Sequence, residues 1–93
     1  NQYLSDSDRA RAINLFRALS AARDRFRSGV DNRTELESAC RNMLTVSSAF
    51  DAIDYVAAVH PDTMQDWQGN GPGLLIAAAR IGDVRLLDNV VLD

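Results

Sequence analysis

The chain has no lysine, one cysteine, one histidine, two prolines and no methionine at its first position. Each shortage excludes something. A single cysteine forms no internal disulfide, and one Cys with one His falls short of a structural zinc site. No apolar run nears the ~20 residues of a membrane-spanning helix, and no charged-then-apolar leader opens the sequence. All ten basic residues are arginines, outnumbered by 13 acidic ones; the net charge of −3 argues against indiscriminate nucleic-acid binding. Ninety-three residues make one domain. Folding a chain of this size buries roughly 64 % of its unfolded surface, enough for one modest core. The opening Asn1-Gln2-Tyr3-Leu4, without Met, raises the expectation of a piece cut from something longer.

What is present begins with a helix start. Ser5-Asp6-Ser7-Asp8 supplies a hydroxyl N-cap and two carboxylates for the first turn, where free N–H groups and the helix dipole favour them. Leu4 precedes the cap and would staple onto Arg9 or Ala10. Ile13, Phe16, Leu19, Ala22 and Phe26, with Leu15 and Ala18 beside them, recur at helical spacing, while Arg9, Arg11, Arg17, Asp24, Arg25 and Arg27 take the opposite side. Gly29 is the natural stop, so the spacing predicts a helix over about 6–28. A second helix follows, capped by Asp31, Asn32 or Thr34, with Glu35 and Glu37 in its first turn. Leu36, Cys40, Met43 and Leu44 form its apolar stripe, which fades near 46–48. The short connection makes the two helices antiparallel neighbours.

The period then changes. Residues 51–59 are rich in strand formers, with Ile53, Tyr55, Ala57 and Val59 on one face. His60-Pro61-Asp62 ends the run, and Thr63–Trp67 reads as one helical turn. Gly69-Asn70-Gly71-Pro72-Gly73 is a loop. Leu74–Arg80 reads as a buried strand, Ile81-Gly82-Asp83 as a tight hairpin turn, and residues 84–92 as the return strand. Helices followed by strands, without alternation, indicate an α+β fold: two antiparallel helices, then a small, mainly antiparallel sheet of about three strands.

Chemistry-bearing residues are sparse. His60 beside Asp62 reads as a general base oriented by a carboxylate, or as an exposed loop histidine; with no second His and no nucleophile nearby, the second reading is preferred. Cys40 lies on the apolar stripe and reads as a small core residue rather than a reactive thiol. The Gly69–Gly73 loop resembles a phosphate cradle only superficially, because it runs into an apolar strand, not a helix N-terminus, and holds no Lys. The arginine side of the first helix reads as a solvated face with Asp partners or, more sharply, as a docking surface for an anionic partner. Arg85 and the Asp88-Asn89 pair interrupt a strand of Val and Leu; they read equally as local polar contacts and as contacts with another domain. Taken alone, these residues describe an accessory or interaction module with no catalytic centre and no metal set.

At both ends the sequence nevertheless resembles a known family. Asn1-Gln2-Tyr3-Leu4-Ser5 is similar to the segment that follows the Ser-Ser-Arg signature of the pantothenate synthetase (pantoate–β-alanine ligase) family, where Arg-Asn-x-Tyr-Leu is typical. Ala77-Ala78-Ala79-Arg80-Ile81-Gly82 and Val84-Arg85-Leu86-Leu87-Asp88-Asn89 resemble the family's C-terminal Ala-Ala-x-x-Gly-x-Thr-Arg-Leu-Ile-Asp-Asn ending, with Val84 where Thr is common. Ile53-Asp54-Tyr55-Val56 and His60-Pro61-Asp62-Thr63-Met64 resemble its Val-Asp-Tyr strand and Asp-Pro-x-Thr-Leu turn; His60 stands where Asp is usual.

The resemblance implies the C-terminal lid domain, residues 1–93, of a cytoplasmic two-domain ligase. The Rossmann-like catalytic domain, with its His-x-Gly-His and Ser-Ser-Arg motifs, is expected upstream of Asn1. The parent would use ATP and Mg²⁺ to join pantoate and β-alanine through pantoyl adenylate. Its partner here would be its own catalytic domain, and it would dimerise through that domain. No cofactor is expected on this stretch itself, and neither nucleic acid nor membrane is an expected partner. Asn1 and Tyr3 would lie at the hinge or edge of the nucleotide site; Arg85, Asp88 and Asn89 would serve interdomain or structural roles, and no catalytic residue falls within the stretch. The rival expectation is a free-standing interaction module sharing the fold. In the excised lid domain the face normally turned to the large domain would be exposed and would favour weak self-association.

Overall fold

The computed structural model describes residues 5–93. In chain order it forms α1 (Asp6–Arg27), α2 (Arg33–Ser47), β1 (Ala52–Val59), β2 (Gly73–Ile81) and β3 (Val84–Leu92). The strands make one antiparallel sheet in the order β1-β2-β3. This is the α+β arrangement expected from the sequence. The helices form a single layer on one face of the sheet, α1 over β2 and β3 and α2 over β1.

Local chemistry explains the helix ends. The Ser5 hydroxyl accepts from the Asp8 N–H at 3.1 Å, and Asp6 and Asp8 stand in the first turn of α1. Leu4, the expected staple, lies outside the described residues. At the other end Ser28 closes the helix and Gly29 takes φ +117°, so α1 stops one residue earlier than the pattern suggested. Of the three possible caps for α2, Asn32 is the one used: its side chain accepts from the Glu35 N–H at 3.0 Å.

The buried stripe of α1 is rotated from the one its largest residues suggested. Leu15, Ala18, Leu19 and Ala22 are buried, with Phe26 packed beside them, whereas Ile13 and Phe16 are about half exposed at 51 % and 49 %. The reason is that α1 must touch both α2 and the sheet, and the small Ala18 and Ala22 allow that double approach. Met43 is likewise corrected to the surface, leaving Leu36, Cys40 and Leu44 as the core line of α2.

The sheet differs from the sequence pattern at two places. A β-bulge in β1 leaves Asp54 without an opposite residue on β2: Ile53 faces Ala79 and Tyr55 faces Ala78. The extra residue reverses the alternation. Ile53 and then Val56 and Ala58 therefore face the helices, instead of Ile53, Tyr55, Ala57 and Val59 together. The expected helical turn at 63–67 is also absent. A single turn closes from the His60 carbonyl to the Met64 N–H at 2.8 Å, Met64 adopts φ +61°, and the chain doubles back so that Asp66 bridges Val59. Trp67 then drops into the core at 2 % exposure, edge-on to Phe26 with ring centres 5.5 Å apart.

Candidate functional site

Strand alternation sorts the chemistry-bearing residues between two faces. On β3, Leu86, Val90 and Leu92 pack towards the helices. Arg85, Leu87, Asn89 and Val91 consequently take the open face of the sheet, and Asp88 the helix side. On that open face Arg80 and Arg85 stand directly opposite each other in the β2–β3 register. Two guanidiniums so placed would repel. The bulge resolves this by aiming Asp54 between them. Its Oδ2 accepts from Arg80 Nε at 3.1 Å and from Arg85 Nε at 3.0 Å. The Arg85 guanidinium also lies over the Tyr55 ring, 5.8 Å from its centre. The Asp54 side chain is largely covered at 21 % exposure, while the two arginine side chains remain half exposed at 55 % and 50 %. The result is a rigid corner carrying one excess positive charge beside apolar sheet surface, suited to seat an anionic or polar surface group.

The other expected residues are dispersed. Asn1 and Tyr3 lie outside the described residues. Asp88, on the opposite face from Arg85, turns its Oδ1 back onto the Asn89 N–H at 2.8 Å. His60 is exposed, and its Nδ1 accepts from the backbone N–H groups of Asp62 at 3.1 Å and Thr63 at 3.4 Å. Asp62 thus supplies a backbone amide to His60, not an orienting carboxylate, and the ring caps a turn. Two arginines of α1 serve the fold: Arg11 Nε donates to the Ala49 carbonyl at 2.7 Å with Asp8 and Asp51 close by, and Arg27 pairs with Asp93 at 3.6 Å. The glycine loop meets the indole of Trp67, whose Nε1 donates to the Gly71 carbonyl at 3.3 Å, and it leads into a strand. Among the described residues no group of three or more His, Cys, Asp or Glu is placed to hold a metal ion. No helix among them is long and apolar enough to cross a membrane.

Cys40 is fully buried between the helices and the sheet. Desolvation pushes its thiol from the ordinary 9.0 up to about 12, with Arg41 pulling slightly the other way. A native thiol of this kind is un-ionised at neutral pH and inert. Labelling by an aromatic disulfide at pH 8 is therefore expected to run at the rate of domain opening and to become immediate in denaturant; fast labelling of the folded chain would contradict this placement. The sign of the linkage follows from the raised value: stability associated with the thiol is full below pH 9.0 and falls as pH rises towards about 12.

Sequence reasoning singled out Arg85 but missed its partners Asp54, Tyr55 and Arg80. It also missed Glu37, whose carboxylate is held by Arg33 at 3.2 Å and accepts from the Ala58 N–H of β1 at 2.9 Å. Asp54 and Tyr55 belong to the motif that carried the family resemblance, and that was the available signal.

Comparison with known proteins supports that signal independently. A family model described as pantoate-beta-alanine ligase matches residues 1–91. A bifunctional pantoate ligase/cytidylate kinase of Gloeobacter violaceus is 44 % identical over 93 residues, covering 99 % of this chain and 18 % of that protein. A pantothenate synthetase of Magnetococcus marinus is 36 % identical over 92 residues, covering 99 % of this chain and 32 % of that protein. The crystal structure of the pantothenate synthetase from Thermus thermophilus superposes with a TM-score of 0.85 at 34 % identity, over 97 % of this chain and 32 % of that one. The chain therefore spans less than a third of each of these relatives.

Proposed function

We propose a function from one premise: the chain belongs to the pantoate–β-alanine ligase family. It supplies the C-terminal, lid-forming part of an ATP-dependent ligase that makes pantothenate in the cytoplasm. In that reaction a carboxylate oxygen of pantoate attacks the α-phosphorus of ATP, releasing pyrophosphate and leaving pantoyl adenylate. The β-alanine amine then attacks the acyl carbon, and AMP departs. Mg²⁺ would accompany the ATP phosphates on the catalytic part, which is outside these residues and through which the enzyme would dimerise.

The role left to this chain is to cover. An acyl adenylate is open to hydrolysis, so a surface that closes over it and excludes water raises its yield. The open face of the sheet suits that task. It is stiffened by β2 pairing on both sides, and it carries the Asp54–Arg80–Arg85–Tyr55 corner at one end. Arg85 would contact the catalytic part, Asp88 and Asn89 would hold the strand, and Asn1 and Tyr3 would lie at the hinge. The observation that carries the reading is the match across residues 1–91.

The test is AMP release with pantoate, β-alanine, ATP and Mg²⁺. None is expected from the 93 residues alone, and robust release is expected when they are joined to a catalytic part of the family. The same catalytic part without them is expected to lose adenylate to water, seen as AMP formed in excess of pantothenate. Ligase activity from this chain by itself, or full coupling without it, would overturn the assignment.

A further inference from the structure

The two edges of the sheet are treated very differently. At β1 the outward groups of Ala58 are both taken: its N–H by Glu37 at 2.9 Å and its carbonyl by the Trp67 N–H at 3.0 Å. The bulge at Asp54 and the Val59–Asp66 bridge interrupt that edge further. These are the usual devices by which proteins close a sheet edge.

β3 has almost none of them. Its nine residues hold no bulge, no proline and no lysine, and they pair with β2 in unbroken register from Val84 to Leu92. Gly82, at φ +59°, opens a two-residue turn between Ile81 and Val84, which makes those two a hydrogen-bonded pair. Alternation then turns the N–H and C=O groups of Arg85, Leu87, Asn89 and Val91 to the outer edge. Two contacts agree with this phase: the Arg80 carbonyl accepts from Asp51 on the far side of β2, and the Asn89 N–H is held by the Asp88 side chain, not by β2. Leu87 and Val91 flank Asn89 at 63 % and 50 % exposure.

We propose that β3 pairs antiparallel with β3 of a second copy of this chain, in the register centred on Asn89, to form a continuous six-stranded sheet. A two-fold axis perpendicular to the sheet keeps both helix layers on one side. In this register Asn89 faces its own counterpart and Leu87 faces Val91 across the new ladder. Among the described residues, every outward N–H and C=O of the central stretch gains a partner, and two apolar pairs are covered. The neighbouring register, centred on Asp88, would set two like carboxylates directly opposite and is disfavoured. Asp88 also tempers the correct register, because its carboxylate occupies the Asn89 N–H in the free chain and must swing aside. This interface uses the edge of the sheet, so it stands independently of the ligase reading and adds to any contact made by a catalytic part.

Sedimentation of the 93-residue chain up to about 1 mM, the weak end of measurable association, tests the pairing, with circular dichroism confirming that each variant is folded. A concentration-dependent monomer–dimer equilibrium is expected. Asp88→Ala should tighten it several-fold. Asn89→Pro, which removes an outward N–H and none of the β2–β3 bonds, should weaken it at least tenfold. Joint replacement Leu87→Lys with Val91→Lys should abolish the dimer, and Leu87→Lys with Val91→Glu should restore it, a rescue that only this register provides. A chain that stays monomeric throughout, or a dimer indifferent to these changes, would overturn the proposal.

Discussion

Trp67→Ala is expected to destabilise the domain by about 3–5 kcal/mol, the range for truncating a large buried aromatic. Few single changes should remove more of a total that is only about 5–15 kcal/mol for a domain. Trp67 lies outside every helix and strand, yet it is 2 % exposed and closes the core against Phe26. Its backbone N–H also holds the Ala58 carbonyl at the edge of β1, and its indole holds the Gly71 carbonyl. Denaturant unfolding should show a lower midpoint with an unchanged slope. Trp67→Phe should lose less, because a ring remains and the forfeited indole bond is worth only about 1 kcal/mol. A loss below about 1 kcal/mol for the alanine variant would show that the indole is not a core residue.

Gly69→Ala should follow closely, at about 2–5 kcal/mol. Two effects add. Gly69 sits at φ +88°, where an L side chain meets a strain of about 1–2 kcal/mol. A Cβ there would also stand 2.6 Å from the carbonyl oxygen of Asp31, so either the loop or the connection between α1 and α2 must move, an overpacking cost of about 1–3 kcal/mol. Gly71→Ala is the matched control. It has a similar φ of +70° but nothing within 4 Å of a new Cβ, so only the conformational strain should appear. Equal losses at the two positions would refute the close approach to Asp31. The glycine loop is thus shaped by packing: Gly69 admits the neighbouring backbone, and a Cβ at Gly73 would meet the Trp67 ring at 3.0 Å.

The contrast between the two sheet edges bears on function as well as assembly. Under the proposed lid role, the guarded β1 edge and the bulge that aims Asp54 would fix the face presented to the catalytic part. The β3 edge would then be available for pairing, while the contacts among Asp54, Arg80 and Arg85 stay within each copy. Residues of the terminal Arg-Leu-Leu-Asp-Asn block divide in their contacts: Arg85 joins Asp54 on the open face, while the Asp88 carboxylate accepts from the Asn89 N–H at the edge.

Much of this was legible without coordinates. Ser5 as a cap, Asn32 as one of three candidate caps, Gly29 and Gly82 as stops and turns, the change of period after residue 50 and the order of elements are local properties, set by hydrogen bonds and steric limits within a few residues. Family membership was legible for a similar reason, since motifs at both ends of the chain keep their order and spacing. The tertiary structure alone decided which residues meet. Ile13 and Phe16 left the core because the buried side of α1 depends on where α2 and the sheet lie, which helical periodicity does not contain. One unpaired residue at Asp54 reversed the faces of β1 and brought a carboxylate between two arginines from other strands; no count along the chain reveals a bulge, because it exists only relative to the neighbouring strand. Trp67 became a core residue by the same logic, drawn in from a loop to fill space that distant elements leave open.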